Sequence, residues 1–253
     1  MLSAIKKLLG FGGASKVLKE IKSGNDTLSV VDNGDEISLK LNNVVYSRLK
    51  KGKVYTGSYW DYFSPLPVLY KKPNILMIGL GGGTIAYQLT KLYRNVNLDI
   101  VEISKPMIEL SDYFLPKKLK NVRIIQEDGL KYIKKKLNAY DLLILDAYDG
   151  DHIPEDFLND EFVADAYKTL RKEGILAINY ALNLSALVYL ENYLNKLRKL
   201  FKVYTINNPF TSGNMIIIGS KEMNRDDILR LVRLGYKENK DNKSVMLGYR
   251  EMA

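Results

Sequence analysis

The sequence predicts an α/β fold in which a small antiparallel β domain precedes a mostly parallel sheet with helices on both faces. From Asn74 onward, short apolar segments alternate with helical segments, which is typical of βαβ units. Before Lys53, β-like segments are separated by turn residues, and the Asn33-Gly34 pair favours a hairpin. The chain has 253 residues, which is enough for both parts.

The N-terminal part, residues 1–56, predicts a β-rich domain. Its strands are expected at residues 28–31, 36–41 and 44–46. A sheet this small buries little apolar surface by itself, and we therefore expect it to pack against the larger domain. Met1–Gly10 predicts a short helix lying on the domain, with binding to a membrane surface as the alternative. Because no apolar run has the length of a membrane span, we expect a cytoplasmic protein.

The second part, residues 57–236, predicts the large sheet, and residues 237–253 form a polar tail. Five strands are expected at residues 74–79, 96–101, 122–125, 142–145 and 175–179, and helices at 85–93, after Ser104 and at 162–170. Two further strands, 200–205 and 215–219, are joined without a helix and predict an antiparallel hairpin at one edge. Together these features indicate a seven-stranded, methyltransferase-like Rossmann-type sheet rather than an NAD-binding one.

Composition excludes several kinds of chemistry. The chain has no cysteine, which rules out disulfides and thiolate catalysis, and its single histidine rules out a histidine-rich metal site. We expect no metal. The formal net charge of +9 is compatible with a nucleic-acid-binding module, but the lysines are scattered in a way that also fits solvated helix faces.

Ligands of such sheets bind beyond the carboxyl ends of the strands. The first strand is followed by a glycine-rich loop that contains Gly79, Gly81, Gly82 and Gly83, with Thr84 where a dinucleotide fingerprint has its third glycine. Glu102 ends the second strand, where an acid can accept hydrogen bonds from a ribose diol; the alternative is a surface glutamate.

The third strand is followed by Asp128-Gly129, which is suited to an adenine amine and ring or, alternatively, to capping the next helix; both uses can coexist. Asp146 and Asp149 follow the fourth strand. Residues 146–161 contain seven acidic residues and no Lys or Arg, the reverse of the chain's overall charge. The sequence therefore predicts a cationic substrate.

These residues resemble the spermidine synthase family of polyamine aminopropyltransferases, in its spermidine-synthase-like branch. The resemblance is carried by residues 78–83, Val101-Glu102-Ile103, Asp128-Gly129 and residues 146–149, and it covers nearly the whole chain. It implies that Glu102 holds the ribose and Asp128 the adenine of an S-adenosyl donor. It further implies Asp146 as the proton acceptor, Asp149 as a ligand of the substrate amine, and a homo-oligomer. Tyr148 and Tyr59 are expected either to orient the amine or only to pack.

The departures from the family pattern concern the tail of the donor. Gly82 stands where family members usually have an aspartate that binds the donor's amino group, and Trp60-Asp61 replaces a His-Glu pair. Asp26 or Asp61 is a candidate to replace the missing acid. The donor is therefore expected to be decarboxylated S-adenosylmethionine or ordinary S-adenosylmethionine.

Four hypotheses about function are compared on these observations. The leading hypothesis is transfer of an aminopropyl group from decarboxylated S-adenosylmethionine to a polyamine amine. The alternative is an S-adenosylmethionine-dependent N-methyltransferase. A non-catalytic nucleic-acid-binding module is less favoured because of the acidic residues at the predicted site, and an NAD oxidoreductase less still.

Overall fold

The computed structural model describes residues 15–42, 44–115, 121–150, 152–207 and 213–253. The helix predicted at Met1–Gly10 lies outside these residues. The described chain forms two sheets, one of four strands and one of seven, which confirms the predicted α/β class.

The N-terminal sheet is antiparallel, with its strands in chain order. They are β1 (Lys16–Ser23), β2 (Asp26–Asp32), β3 (Glu36–Leu41) and β4 (Val44–Lys50). The predicted Asn33-Gly34 turn joins β2 and β3; the Asn33 side chain accepts the amide of Glu36, and Gly34 has a φ of 93°. The prediction located β2, β3 and β4 but did not resolve β1, an edge strand whose charged residues obscure the alternation.

The large sheet has the order β10-β11-β9-β8-β5-β6-β7. Its strands are β5 (Asn74–Ile78), β6 (Asn97–Glu102), β7 (Val122–Gln126), β8 (Tyr140–Leu145), β9 (Leu170–Ala181), β10 (Lys202–Asn207) and β11 (Asn214–Ser220). The strands from β5 to β9 pair in parallel, and β11 pairs antiparallel with both β9 and β10. The predicted seven strands and the antiparallel edge hairpin are therefore confirmed.

Helices cover both faces of this sheet. They are α1 (Thr84–Leu92), α2 (Lys105–Ser111), α3 (Gly129–Lys134), α4 (Asp160–Thr169), α5 (Leu184–Arg198), α6 (Arg225–Gly235) and α7 (Lys243–Arg250). Alternate residues of the central strands enter opposite apolar layers: Ile75 and Met77 lie in one, Leu76 and Ile78 in the other. Burial on both faces explains why these strands read as continuous apolar runs.

The two sheets are joined through α2. Leu28, Val30 and Leu39 of the N-terminal sheet form a buried apolar cluster with Met107 and Leu110 of α2. The predicted packing of the β domain on the larger one is thus observed. It places one face of β2, β3 and β4 over the carboxyl edge of the large sheet.

The polar C-terminal segment also folds onto the large domain. Val245, Met246 and Tyr249 of α7 are buried, and the Tyr249 hydroxyl donates to the carbonyl of Tyr62 at 2.8 Å. The backbone of Ala253 exchanges two hydrogen bonds with Thr205 of β10. Among the helices that the structure describes, none has the length and apolar character needed to cross a membrane.

Candidate active site

A cavity of about 820 Å³ opens at the carboxyl edge of the large sheet, beneath the N-terminal sheet. Most residues predicted for the site line it: Tyr59, Gly79, Gly81, Glu102, Asp128, Gly129, Asp146, Tyr148 and Asp149. The structure thus brings together residues that are far apart in the chain because the parallel strands β5, β6, β7 and β8 all end at this edge. Gly82 and Gly83 are the exceptions, and neither lines the cavity.

Gly79 is required by the close approach of two strand ends. Its φ is +90°, and a Cβ atom there would lie 2.2 Å from the carbonyl oxygen of Asp146. Gly129 is similarly confined, since its Cβ would lie 2.4 Å from Cγ2 of Ile78. Glycine at these positions lets the backbone after β5, the start of α3 and the end of β8 meet at the cavity floor.

A side chain at position 82 would face away from the cavity, towards the N-terminal sheet. Its amide donates to Oγ of Ser47 at 2.6 Å, and a Cβ there would lie 2.8 Å from Cβ of Ser47 and 3.0 Å from the Phe114 ring. In this arrangement an aspartate at position 82 would not fit. A Cβ at Gly83 would meet the side chain of Leu115. Direct contact of Gly82 and Gly83 with a donor, as predicted, is therefore not supported.

Glu102 is almost fully buried at the end of β6. Its Oε2 accepts the amide of Leu80 at 2.9 Å, and its Oε1 accepts the amide of Ser104 at 2.8 Å. Burial raises the pKa of Glu102, and the two amides partly offset that effect. Each carboxylate oxygen has a further lone pair, so the side chain can still accept hydrogen bonds from a ligand.

Asp128 caps the next helix, which is one of the two uses predicted for it from the sequence. Its Oδ1 accepts the amide of Leu130 at 2.8 Å, at the N-terminus of α3. Among the described residues, no hydrogen-bond partner is found for Oδ2. Since Asp128 lines the cavity, the same carboxylate can cap the helix and face a ligand.

Asp146 follows β8 and is partly buried at the cavity wall. Its Oδ1 accepts a hydrogen bond of 2.7 Å from Nδ2 of Asn179 on β9. Removal from bulk water raises the pKa of Asp146 to about 6, against the lowering effect of the Asn179 amide. Asp146 therefore changes protonation close to neutral pH.

Two tyrosines stand close to Asp146. The hydroxyl of Tyr148 donates to the backbone carbonyl of Asn179 at 2.9 Å. Burial raises the pKa of Tyr59, with a further contribution from the nearby charges of Asp146 and Tyr148. Both rings line the cavity and also pack against the apolar clusters of the core, so a role in orienting the amine stays a prediction. Asp149 is exposed at the mouth, in a tight backbone pairing with His152.

Some polar residues of the site were not identified from the sequence, among them Tyr46, Asn179 and Asn214. The Tyr46 hydroxyl donates to the carbonyl of Gly150 at 2.9 Å and joins β4 to the loop after β8. Nδ2 of Asn214 donates to Oδ1 of Asn179 at 2.8 Å. The notable feature of Asn179 in the sequence is a polar residue at the end of an apolar run, which can also mark the end of a strand.

The two candidates for the acid missing at Gly82 differ in location. Asp61 is 1% exposed and accepts hydrogen bonds from Thr56, Gly57 and Gln88, so it stabilises the turn before β5 and does not line the cavity. Asp26 is exposed and does line it, with Oδ1 accepting from Nδ2 of Asn42 at 2.8 Å. Asp26 thus stays a candidate ligand of the donor, and Asp61 does not.

Comparisons with known proteins agree with this architecture. The family model for the spermine/spermidine synthase domain matches residues 62–228. The chain belongs to this family. A polyamine aminopropyltransferase from Vibrio vulnificus is 33% identical over 153 residues, 58% of this chain and 50% of that protein. Another, from Alkaliphilus oremlandii, is 36% identical over 125 residues, 47% of this chain and 44% of that protein. The chain spans about half the length of these curated relatives.

Solved structures share the fold of this spermine/spermidine synthase family member. A spermidine synthase in complex with the transition state analogue AdoDATO has a TM-score of 0.73 at 20% identity, covering 92% of this chain and 85% of that one. Human methyltransferase-like protein 13 in complex with SAH has a TM-score of 0.59 at 18% identity, covering 75% of this chain and 89% of that one. At these identities the likeness shows the fold alone.

Proposed function

We propose that the protein transfers an aminopropyl group from decarboxylated S-adenosylmethionine to an amine of a linear di- or polyamine. The observation that carries this proposal is the charge of the cavity. Five carboxylates line it, from Asp26, Glu102, Asp128, Asp146 and Asp149, and no Lys, Arg or His is among the described lining residues. Such a cavity attracts a sulfonium donor with an ammonium tail and a cationic acceptor.

Asp146 is proposed as the proton acceptor. An ammonium group has no free electron pair, so the acceptor must lose a proton before it attacks. Asp146 takes that proton, the nitrogen forms a bond to the carbon next to the sulfonium, and the C–S bond breaks with its electron pair remaining on a neutral thioether. A carboxylate whose pKa lies at about 6 is ionised at neutral pH and still basic enough to help.

The other site residues bind and orient the two substrates. Glu102 is proposed to accept the ribose hydroxyls and Asp128 the adenine amine, with Gly129 against the ring. Asp149 at the mouth is proposed to hold an ammonium group of the acceptor, and Tyr59 and Tyr148 to orient its attacking nitrogen. Holding donor and acceptor together in this way supplies much of the acceleration of a bimolecular displacement.

The glycine-rich loop favours the decarboxylated donor over the ordinary one. A donor carboxylate would need free amides or a basic side chain. However, the amides of Gly79, Leu80, Gly82 and Gly83 already donate within the protein, to Val101, Glu102, Ser47 and Leu80 respectively. Among the amides of residues 79–83, only that of Gly81 has no partner among the described residues. One amide does not offset the cost of placing a donor carboxylate among acidic side chains.

Methyl transfer from ordinary S-adenosylmethionine is the second candidate. It is favoured by the glycine at position 82, since the acid that resemblance places there is absent. Asp146 would take the amine proton in the same way in that reaction. The two candidates therefore differ in the donor tail and not in the proposed base.

Calorimetric titration with the two donors separates these candidates. We expect the decarboxylated donor to bind at least tenfold more tightly, because the carboxylate of the ordinary donor meets acidic side chains and few free amides. Methylthioadenosine, which lacks the charged end groups of both donors, is the control for nucleoside binding. Tighter binding of ordinary S-adenosylmethionine would contradict the aminopropyl proposal and favour methyl transfer.

A further inference from the structure

Asp146 is held by a chain of two side-chain amides that begins on the antiparallel edge of the sheet. Asn214, at the start of β11, donates from Nδ2 to Oδ1 of Asn179 at 2.8 Å. Asn179 on β9 then donates from Nδ2 to Oδ1 of Asp146 at 2.7 Å. Asn179 is 1% exposed, so water cannot readily replace either partner. All three residues line the cavity.

The donors and acceptors of these groups allow only one orientation of the two side-chain amides. An ionised carboxylate can only accept hydrogen bonds, so Asn179 must turn its NH₂ group towards Asp146. Its carbonyl oxygen then faces Asn214, which must turn its own NH₂ group towards Asn179. The Tyr148 hydroxyl, donating to the backbone carbonyl of Asn179, further fixes this part of β9. Flipping either amide would place two acceptors against each other.

The two carboxylate oxygens of Asp146 differ in their surroundings. Oδ1 is occupied by the Asn179 amide, whereas Oδ2 has no hydrogen-bond partner among the described residues. A proton that arrives from the cavity therefore meets Oδ2, and a proton on Oδ1 would compete with the Asn179 donor. The carboxyl group is thereby divided into an anchored atom and a reactive atom.

We propose that Asn179 and Asn214 are positioning residues that reserve Oδ2 of Asp146 as the atom that takes the proton of the attacking amine. This inference rests on the proposed function, because it concerns the same base. It also gives the β10–β11 hairpin a part in the chemistry, since the first link of the chain is on β11. No substrate contact is required of either asparagine.

The test is a direct titration of the Asp146 carboxyl group in protein labelled with ¹³C-aspartate. Its resonance is assigned by its absence in Asp146→Asn. In Asn179→Leu, which keeps the volume but removes the donor, we expect the pKa of Asp146 to rise by about one unit, as loss of a hydrogen bond to a carboxylate predicts. The acidic limb of the pH profile of kcat/KM should move by the same amount. Asn214→Leu should shift the pKa of Asp146 and the acidic limb of the pH profile in the same direction, but by a smaller amount.

The control is Ser220→Ala at the far end of β11, where the buried serine hydroxyl has no hydrogen-bond partner among the described residues. It should change neither the titration nor the pH profile. An unchanged Asp146 titration in Asn179→Leu would overturn the inference. A shifted titration with an unmoved pH profile would instead contradict Asp146 as the base, and so the proposed function. Asn214→Leu alters a partly exposed side chain and keeps the test available if Asn179→Leu does not fold.

Discussion

At the scale of single residues, Glu102 and Asp146 show how two carboxylates in one cavity differ in what they can do. Both oxygens of Glu102 accept backbone amides, which fixes the group as an acceptor for a ligand. Asp146 uses one oxygen for the Asn179 amide, and burial raises its pKa to about 6. The first arrangement suits binding, and the second suits proton transfer.

Asp146→Asn tests that distinction. We expect turnover to fall by roughly 10²–10⁴, the usual effect of losing a general base, while calorimetric affinity for methylthioadenosine changes little. In the unsubstituted protein, the group must be ionised to accept a proton, so kcat/KM should rise with pH through about 6 and level off above it. Turnover unchanged by the substitution, or a profile flat between acidic and neutral pH, would remove Asp146 from the reaction.

Most charged residues of the site, together with Tyr59 and Tyr148, could be predicted from the sequence, whereas Tyr46, Asn179 and Asn214 could not. Glu102 ends an apolar run, Asp146 directly follows one and Asp128 lies shortly after β7, and the carboxyl ends of parallel strands meet at one edge. The side chains of Asn179 and Asn214 are hydrogen-bonded to each other, which depends on the antiparallel register that sets β9 beside β11. No local pattern encodes that register. Tyr46 similarly reaches Gly150 only because the two sheets pack as they do.

At the scale of elements, the glycine-rich loop is held from outside by β4. Oγ of Ser47 accepts the amide of Gly82, and the Thr84 hydroxyl exchanges hydrogen bonds with the backbone of Arg48 at 3.0 and 3.1 Å. The N-terminal sheet is therefore a structural support of the loop as well as a wall of the cavity. The sequence predicted the loop, but what surrounds Gly82 depends on how the β domain docks, which local patterns do not encode.

Ser47→Ala tests this support. The buried Gly82 amide would lose its acceptor, so we expect the free energy of unfolding to fall by about 1–3 kcal/mol. Affinity for methylthioadenosine should weaken roughly threefold to tenfold as the loop loosens. Urea denaturation and calorimetry measure the two effects. Ser38→Ala, which alters a buried serine on the neighbouring β3, is the matched control and should leave nucleoside affinity unchanged. Equal effects of the two substitutions would contradict a specific role for Ser47.

At the scale of the whole molecule, a chain of net charge +9 encloses a cavity whose described lining carries five carboxylates and no basic side chain. The overall charge is therefore a poor guide to the ligand, and the negative charge of the cavity is a better one.

The fold class, the order of the strands and the edge hairpin could all be predicted, because the spacing of apolar residues along the sequence reflects which of them are buried. Helix α7 was missed because its short apolar stretch, from Val245 to Tyr249, is flanked by polar and charged residues that made the segment look like a polar tail. The homo-oligomer, the domain boundaries and the cytoplasmic location stay predictions.

The central claim, aminopropyl transfer, is tested most directly by mass spectrometry of the amine after incubation with each donor. A set of linear diamines and triamines covers the proposed acceptors, and Asp146→Asn protein is the control for uncatalysed alkylation. We predict acceptors heavier by one aminopropyl group, with methylthioadenosine as the other product, and only from decarboxylated S-adenosylmethionine. Acceptors heavier by one methyl group, formed from ordinary S-adenosylmethionine, would contradict the claim.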